Sequence, residues 1–234
     1  MELNGARVLV AGATGEIGSG LARDLHRRDA RVAVAGRDRA RLARVARECG
    51  AAPAFGFDAY RPDGCAAAVR AAARLWGGLD AVAVCVGVTA FGAAAEVDDA
   101  VAEHLLSVNA LAPMALLRAA VPLVGRGGAL AAVTGVVVDR PVPRMADYSA
   151  AKSALAAWLD ALRRELRAAG VRVVDVRLPH VATAFADRAV TGSPPRLPPG
   201  LPPSDAIRTV AEALAHKEGV VRHTSPAPAA GAAR

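Results

Sequence analysis

The chain has 234 residues, of which 53% are hydrophobic and 22% are charged, and this length and composition suit one large α/β domain with a buried core. Lys and Arg outnumber Asp and Glu by 29 to 22. The basic residues recur among acids on predicted helices and aromatic residues are only 3%, so we expect no nucleic-acid partner. No apolar run reaches the roughly 18 residues that a membrane span needs, so we expect no membrane partner. The three cysteines lack a CxxC spacing, which argues against a metal site or a disulfide framework and fits a cytoplasmic protein.

Short apolar, β-branched runs alternate with segments of helical period along the whole chain. The runs occur at 7–12, 31–36, 52–58, 80–87, 128–135 and 171–179, with a short last one at 219–224. The helical segments occur at about 16–28, 38–49, 62–75, 97–121, 147–169 and 205–216. Nearly continuous apolar runs are typical of strands that are buried on both faces. The alternation therefore predicts a single-domain α/β fold, a doubly wound (Rossmann) parallel sheet of about seven strands with helices on both faces.

Three residues are expected to shape the ends and the course of the helices. Asp38 has the short polar side chain of a helix cap, and Pro62 suits the first turn of the third helix. Pro113 lies inside the fourth helix, where its ring displaces one backbone hydrogen bond, so we expect a bend there.

Glycines punctuate the turn between the first strand and the first helix. Gly12, Gly15 and Gly18 have the spacing GxxGxxG. This spacing allows a tight turn, close approach of the backbone to a pyrophosphate, and free N–H groups at the helix start. The same glycines could form an ordinary strand–helix turn, but their place in the first strand–helix unit favours a dinucleotide site. At the tip of the second strand, the guanidinium of Arg37 favours the 2′-phosphate of NADP(H), while the neighbouring Asp38 leaves NAD(H) open.

Tyr148 and Lys152 lie four residues apart on the predicted fifth helix, so they share one face. Lys152 is one of only two lysines among 29 basic residues. An ammonium beside a phenol favours the phenolate and lowers the pKa of the tyrosine, which can then exchange a proton with a carbonyl or alcohol oxygen. Any helix can carry this pair by chance, so the spacing alone is weak.

Six motifs in one order make the chain resemble the short-chain dehydrogenase/reductase family over roughly residues 5–224. They are GATGEIG (12–18), FDAYRPD (57–63), LDAVAVCVG (79–87), VNALAP (108–113), YSAAK (148–152) and RLPHVAT (177–183). The resemblance implies a seven-stranded dinucleotide-binding fold and NAD(P)-dependent interconversion of an alcohol and a carbonyl. It also implies a homodimer or homotetramer built on the helices at about 97–121 and 147–169.

The resemblance also implies roles for individual residues. Tyr148 would be the proton donor and acceptor, Lys152 would hold the nicotinamide ribose and tune Tyr148, and Asn109 would anchor a water of the proton relay. The remaining implied cofactor contacts are Gly12, Thr14, Gly15, Glu16, Ile17 and Gly18 at the pyrophosphate, Arg37 at the 2′-phosphate, Asp58 and Ala59 at the adenine, Val86 and Gly87 at the adenine ribose, and Pro179, Val181 and Thr183 beside the nicotinamide. Taken separately, Asn109 could be an ordinary helix residue, and Asp58 or Thr183 a local cap.

The family's usual serine is missing. Gly135 stands at its position, 13 residues before Tyr148, where the serine hydroxyl bonds the reacting oxygen. Thr134 is the nearest hydroxyl, but one residue along a strand turns a side chain to the opposite face, so Thr134 serves only if the strand ends or bulges there. His180 could supply the missing donor instead, or it could be a loop imidazole without a catalytic role. Loss of one such donor typically costs about 100- to 1000-fold in rate.

The leading prediction is a cytoplasmic NADP(H)-dependent reductase, or reversible dehydrogenase, for a small or medium alcohol/carbonyl compound. We expect a domain over 1–224, a Pro-rich substrate loop at about 184–203 and a disordered tail at 225–234. The expected pocket residues are Val88, Thr89, Phe91, Val136, Val137, Met145 and Phe185. The missing serine leaves a non-redox alternative, namely an isomerase, dehydratase or cyclase, and the charge of +7 leaves a cofactor-sensing binding protein.

Overall fold

Seven strands form one parallel sheet in the structure, a computed structural model that describes residues 1–217 and 219–223. The strands are β1 (Arg7–Ala11), β2 (Arg31–Gly36), β3 (Ala54–Gly56), β4 (Leu79–Val84), β5 (Val124–Val133), β6 (Arg172–Arg177) and β7 (Gly219–Arg222). The tail predicted for 225–234 lies outside the described residues.

The strand order is β3-β2-β1-β4-β5-β6-β7. Val8 of β1 pairs with Val32 on one side and with Ala81 on the other, so β1 and β4 are neighbours at the centre of the sheet. The order reverses between these two strands, and a crevice opens there at the carboxyl ends of the strands, which is where open α/β sheets bind ligands. The predicted fold is confirmed.

Seven α-helices among the described residues cover both faces of the sheet. They are α1 (Glu16–Arg27), α2 (Arg39–Glu48), α3 (Pro62–Trp76), α4 (Asp99–Leu106), α5 (Ala112–Ala120), α6 (Ala146–Leu166) and α7 (Pro203–His216). Alternate residues of each strand face opposite layers: Val8 and Val10 pack with α1, α2 and α7, whereas Leu9 and Ala11 pack with α3, α5 and α6. Fully buried strands explain why the apolar runs are continuous rather than alternating.

Local chemistry sets two helix starts as expected. The Asp38 side chain accepts a hydrogen bond of 3.0 Å from the Arg41 N–H and caps α2. Pro62 is the first residue of α3, where its missing N–H has no helical partner to lose.

The predicted fourth helix is interrupted by a π-helical turn over Ser107–Leu111 that joins α4 to α5. The Ala112 N–H reaches back five residues to the Ser107 carbonyl, directly before Pro113, which has no N–H to donate. The stretch Asp99–Leu123 is apolar enough to cross a membrane by length and composition, with a mean hydropathy of 1.5, but 56% of its most apolar window is buried inside the domain. Its packing against α3 and α6 accounts for this composition.

Candidate active site

The glycine loop between β1 and α1 forms a cradle that side chains would fill. Gly12 has a φ of +85°, and a Cβ there would lie 2.6 Å from the Cys85 carbonyl carbon at the end of β4. A Cβ on Gly18 would lie 2.3 Å from the Gly12 oxygen, so α1 approaches the loop too closely for any other residue. Gly15 precedes α1 and offers no side-chain cap, which leaves the N–H groups of the first turn available to an anion. These residues fit the pyrophosphate of a dinucleotide.

Other predicted contacts line the same crevice. Thr14 packs on Gly36 at the end of β2, where a Cβ would lie 2.7 Å from the Thr14 methyl group. Ile17 is half-buried against the core, and Glu16 is exposed. The Glu16 carboxylate pairs with the segment after β6, where the Ala184 N–H and the Arg188 guanidinium donate to it.

The residues predicted to hold the adenosine end lie after β2 and β3. Arg37 is exposed at the tip of β2, whereas the Asp38 carboxylate beside it is engaged at the start of α2. The hydrogen bond from Arg41 holds the pKa of Asp38 below its usual range. Asp58 is exposed and accepts a 3.0 Å bond from the Tyr60 N–H. Ala59 next to it is half-buried.

Asn109 connects the π turn to the loop after β4. Its side chain is fully buried, accepts a 3.1 Å bond from the Val88 N–H and donates a 3.0 Å bond to the Val88 carbonyl. A Cβ on Gly87 would lie 3.0 Å from the Asn109 Oδ1 and 3.2 Å from the Lys152 Nζ. Asn109, Lys152 and the half-buried backbone of Val86 and Gly87 therefore meet at one point of the crevice.

Lys152 is buried beside this point, with 3% of its surface exposed. Its ammonium donates a 3.1 Å hydrogen bond to the Val133 carbonyl at the end of β5. Burial lowers the pKa of Lys152 to about 8, while the nearby Cys85 and Asp175 act in the opposite direction. The ammonium is thus mostly charged at neutral pH and points at the carboxyl end of the sheet.

Tyr148 lies in a small apolar cluster one helical turn before Lys152. Ala90, Leu105 and Ala151 form this cluster with it, and the predicted pocket residues Val88, Val137, Met145 and Phe185 pack around it. Burial raises the pKa of Tyr148. The prediction that Lys152 lowers the pKa of the phenol is therefore wrong for the protein without ligand, because desolvation dominates and the ammonium is directed to the Val133 carbonyl.

The end of β5 differs from the sequence-based expectation. The strand ends at Val133 rather than at 135, and Gly135 has a φ of +124° and a ψ of 158°. Thr134 is buried, and its hydroxyl donates a hydrogen bond to the carboxylate of Asp175 on β6. The strand does end here, as a catalytic role of Thr134 requires. Its hydroxyl proton is nevertheless engaged by Asp175, so the geometry does not support Thr134 as the replacement donor.

The residues after β6 lead into the Pro-rich segment 184–203. Pro179, Val181 and Thr183 are half-buried, and the Thr183 hydroxyl accepts a 3.3 Å bond from the Phe185 N–H. The His180 carbonyl accepts a 2.8 Å bond from the Leu201 N–H, which ties the two ends of the segment together. The role of the His180 imidazole stays a prediction.

Segment 184–203 is closed over the predicted pocket. The Val190 N–H donates to the Thr89 carbonyl at 2.8 Å, and the Phe91 N–H donates to the Thr191 carbonyl at 3.0 Å. Phe185, near the start of the segment, packs against the apolar cluster around Tyr148.

Two residues of the site were not found from sequence. Asp175 has 1% of its surface exposed and is paired with Thr134 and, at 2.7 Å, with the Arg177 guanidinium. A carboxylate inside the otherwise apolar run VRVVDVR was a usable signal, since buried charges need partners. Arg188 lies in a segment without periodicity, and nothing in the sequence indicates its pairing with Glu16.

An open parallel sheet with a glycine cradle at its reversal point defines the class of Rossmann-type nucleotide-binding domains. Within this class, residues 6–193 match the family model described as short chain dehydrogenase. The chain belongs to the short-chain dehydrogenase/reductase family of oxidoreductases, as the sequence motifs predicted.

Individual relatives agree with this assignment. The chain is 29% identical over 198 residues to "Dehydrogenase/reductase SDR family member 7B" of Danio rerio, covering 79% of this chain and 64% of that protein. It is 28% identical over 221 residues to "Ketoacyl reductase HetN" of Nostoc sp., covering 92% of this chain and 77% of that one. The chain spans slightly less than two thirds of the length of the first curated relatives it matches.

Solved structures share the fold. A short chain dehydrogenase from Burkholderia cenocepacia J2315, solved in complex with NADP, superposes with a TM-score of 0.84 at 24% identity, over 95% of this chain and 97% of that one. A dehydrogenase/reductase from Sinorhizobium meliloti 1021 superposes with a TM-score of 0.81 at 24% identity, over 94% and 96% of the two chains.

Proposed function

We propose that the protein is an NADP(H)-dependent reductase, or reversible dehydrogenase, that interconverts a carbonyl and an alcohol of a small or medium-sized compound. The observation that carries the proposal is that Lys152 and Asn109 meet at Gly87, at the carboxyl edge of the sheet, with Tyr148 one helical turn before Lys152. Each of the three is buried, although Tyr and Lys tolerate burial poorly unless the site has a use for them.

A bound nicotinamide would supply or accept the hydride, and the chain's own residues would handle the proton. The Tyr148 phenol carries a proton at neutral pH, since burial raises its pKa above an already alkaline ordinary value, and this proton would pass to the carbonyl oxygen. The Lys152 ammonium, one helical turn from Tyr148, can return a proton to the phenolate that remains. Asn109 holds Val88 through two hydrogen bonds, which tie the loop that lines the pocket to the π turn between α4 and α5.

Activity on carbonyl compounds tests the proposal directly. Purified protein should oxidise NADPH in the presence of at least part of a broad panel of ketones and aldehydes. Tyr148→Phe should abolish this turnover, whereas Tyr60→Phe, which changes the only other tyrosine, should retain it. Turnover that survives Tyr148→Phe would refute the proton role.

The preference for NADP(H) is supported by the tip of β2. The Asp38 carboxylate caps α2, so it is poorly placed to accept a hydrogen bond from a ribose hydroxyl. The exposed Arg37 guanidinium is available to a 2′-phosphate. Arg37→Ala should weaken NADPH binding far more than NADH binding. Arg47→Ala removes an equal charge at the other end of α2 and serves as the control. Equal losses for both cofactors in Arg37→Ala would contradict the contact.

Gly135 favours a second candidate, a non-redox member of the family that acts as an isomerase, dehydratase or cyclase. The backbone there has left the conformation that a serine adopts easily, which fits a site that no longer needs the hydroxyl. If this candidate is right, no ketone oxidises NADPH in the presence of the protein, whether or not the protein binds NADPH. A cofactor-sensing protein would bind NADPH and retain binding in Tyr148→Phe, and neither form would turn over any compound.

We also infer a homodimer or homotetramer in a reducing cytoplasmic compartment. The exposed side chains of Leu106 and Leu111 on the π-interrupted helix support the pairing surface. A groove of about 280 Å³ between α5 and α6, beside Trp158, supports it as well. Light scattering after size-exclusion chromatography should give a multiple of the monomer mass. Leu111→Glu should reduce that mass. A wild-type protein with the mass of a monomer would contradict the inference.

A further inference from the structure

An ion pair joins the first turn of α1 to the segment that covers the pocket. One oxygen of the Glu16 carboxylate, Oε1, accepts a 3.0 Å bond from the Arg188 guanidinium and a 3.2 Å bond from the Ala184 N–H. Both donors come from the beginning of segment 184–203, and Glu16 is the first residue of α1. The contact therefore bridges the predicted cofactor loop and the predicted substrate loop.

The donors that Glu16 holds form a set suited to a phosphate. A guanidinium binds phosphate oxygens through two parallel N–H groups, and a backbone N–H beside a helix N-terminus adds a neutral donor to the same anion. A carboxylate that bonds both donors through one oxygen uses only part of this capacity. Glu16 also adds a negative charge to the turn whose N–H groups face the cradle.

We propose that Arg188 and the Ala184 N–H are part of the site for the cofactor's diphosphate, and that the Glu16 carboxylate occupies them in the ligand-free protein as an internal competitor. The inference rests on the proposed function, because it assumes that a dinucleotide binds at α1. An incoming diphosphate competes with Glu16 for these donors, because the carboxylate repels a second anion beside it. Arg188 and Ala184 then hold the ligand, and the covering segment is attached to the cofactor instead of to α1.

The second attachment of the segment explains how it stays in place during this exchange. Backbone hydrogen bonds from Val190 to Thr89 and from Phe91 to Thr191 hold its middle independently of Glu16. Gly192 allows this contact, because a Cβ there would lie 1.8 Å from the Phe91 carbonyl oxygen. The exchange at Glu16 therefore alters one end of the segment only.

Calorimetric titration of the purified, cofactor-free chain with NADPH and, separately, with inorganic pyrophosphate tests the proposal. Glu16→Gln should bind both ligands about 3- to 10-fold more tightly than the wild type, and the difference should shrink at high salt. Glu48→Gln removes the same charge from the last residue of α2, where Glu48 pairs with Arg23 of α1, and should leave both affinities unchanged. Equal or weaker binding by Glu16→Gln would overturn the competitor role.

Arg188→Ala separates the two halves of the proposal. In the wild-type background, Arg188→Ala should lower the affinity for the ligand only partly. The variant loses the phosphate contact, but the ligand no longer has to break the bond between Arg188 and Glu16. In the Glu16→Gln background the loss should be larger. An unchanged affinity on adding Arg188→Ala to Glu16→Gln would overturn Arg188 as a phosphate ligand. If the wild type binds neither NADPH nor pyrophosphate, the proposed function fails first. If NADPH binds and is oxidised but Glu16→Gln changes nothing, only this inference fails.

Discussion

Gly135 gives the sharpest quantitative test of the structure. Its φ of +124° and ψ of 158° lie in a region that is essentially restricted to glycine, where any other residue costs about 1–3 kcal/mol. Space is not the obstacle: a Cβ at this position would lie 3.7 Å from the Leu178 carbonyl oxygen and 3.8 Å from the Val137 side chain, both ordinary contacts. The cost of a side chain is therefore conformational.

Two variants separate this cost from the chemistry of the missing hydroxyl. Gly135→Ala should lower the free energy of unfolding by about 1–3 kcal/mol, or the melting temperature by about 2–12 °C for a chain of this size. Gly135→Ser should be destabilised similarly. A Cβ at 135 would contact Val137, which packs against the Tyr148 cluster, so we expect a hydroxyl at 135 to face the pocket. The serine variant should therefore reduce ketones about 10- to 100-fold faster than the alanine variant.

Urea unfolding and NADPH-linked turnover, measured on both variants and on the wild type, check the two statements independently. An alanine variant as stable as the wild type would refute the argument from backbone strain. A serine variant no faster than the alanine variant would refute the argument that a missing donor limits the rate.

Three further changes probe the buried polar groups. Lys152→Met removes an ammonium whose pKa is lowered to about 8. Burying this charge reduces the free energy of unfolding of the wild type by its full amount below pH 8, and by less as the pH rises toward the unfolded pKa of 10.5. The stability advantage of the variant over the wild type should therefore shrink by about 2 kcal/mol between pH 7 and pH 9.5 in urea unfolding. Asn109→Ala leaves the N–H and carbonyl of Val88 without partners and should cost about 2–4 kcal/mol in the same assay; a loss below 1 kcal/mol would show that water replaces the amide. Asp175→Asn removes the charge that raises the pKa of Lys152, so the alkaline limb of the pH–rate profile should move to lower pH, and an unchanged limb would exclude Lys152 as its origin.

Features that depend on neighbouring residues in the chain could be predicted from the sequence. The continuous apolar runs indicated strands buried on both faces, because each strand lies between two helical layers. Asp38 and Pro62 were recognised as helix-start residues because capping depends on the next three or four residues. The glycine loop was recognised because tight approach between backbones leaves no room for a Cβ at Gly12 or Gly18.

Features that depend on contacts between residues far apart in the chain could not be predicted from the sequence. The pKa of Tyr148 follows from its burial among side chains of other elements, and from the direction that the Lys152 ammonium takes toward β5. The four-residue spacing of Tyr148 and Lys152 indicates neither the burial of the phenol nor the direction of the ammonium. Similarly, the hydroxyl of Thr134 is engaged by Asp175, 41 residues away, and the identity of residue 135 as glycine does not fix its unusual backbone angles.

The π turn over Ser107–Leu111 makes the length of its helix part of the site. A π turn contains one residue more than the α turn it replaces, and each residue rotates an α-helix by about 100°. Removing a single residue from this turn would restore a regular helix, but α4 and α5 would then be out of phase. Either Asn109 would lose Val88, or the apolar face of α5 would rotate away from the sheet. This stretch should therefore accept many substitutions on its exposed side and no single-residue deletion, so its residue count is fixed as firmly as the identity of Asn109.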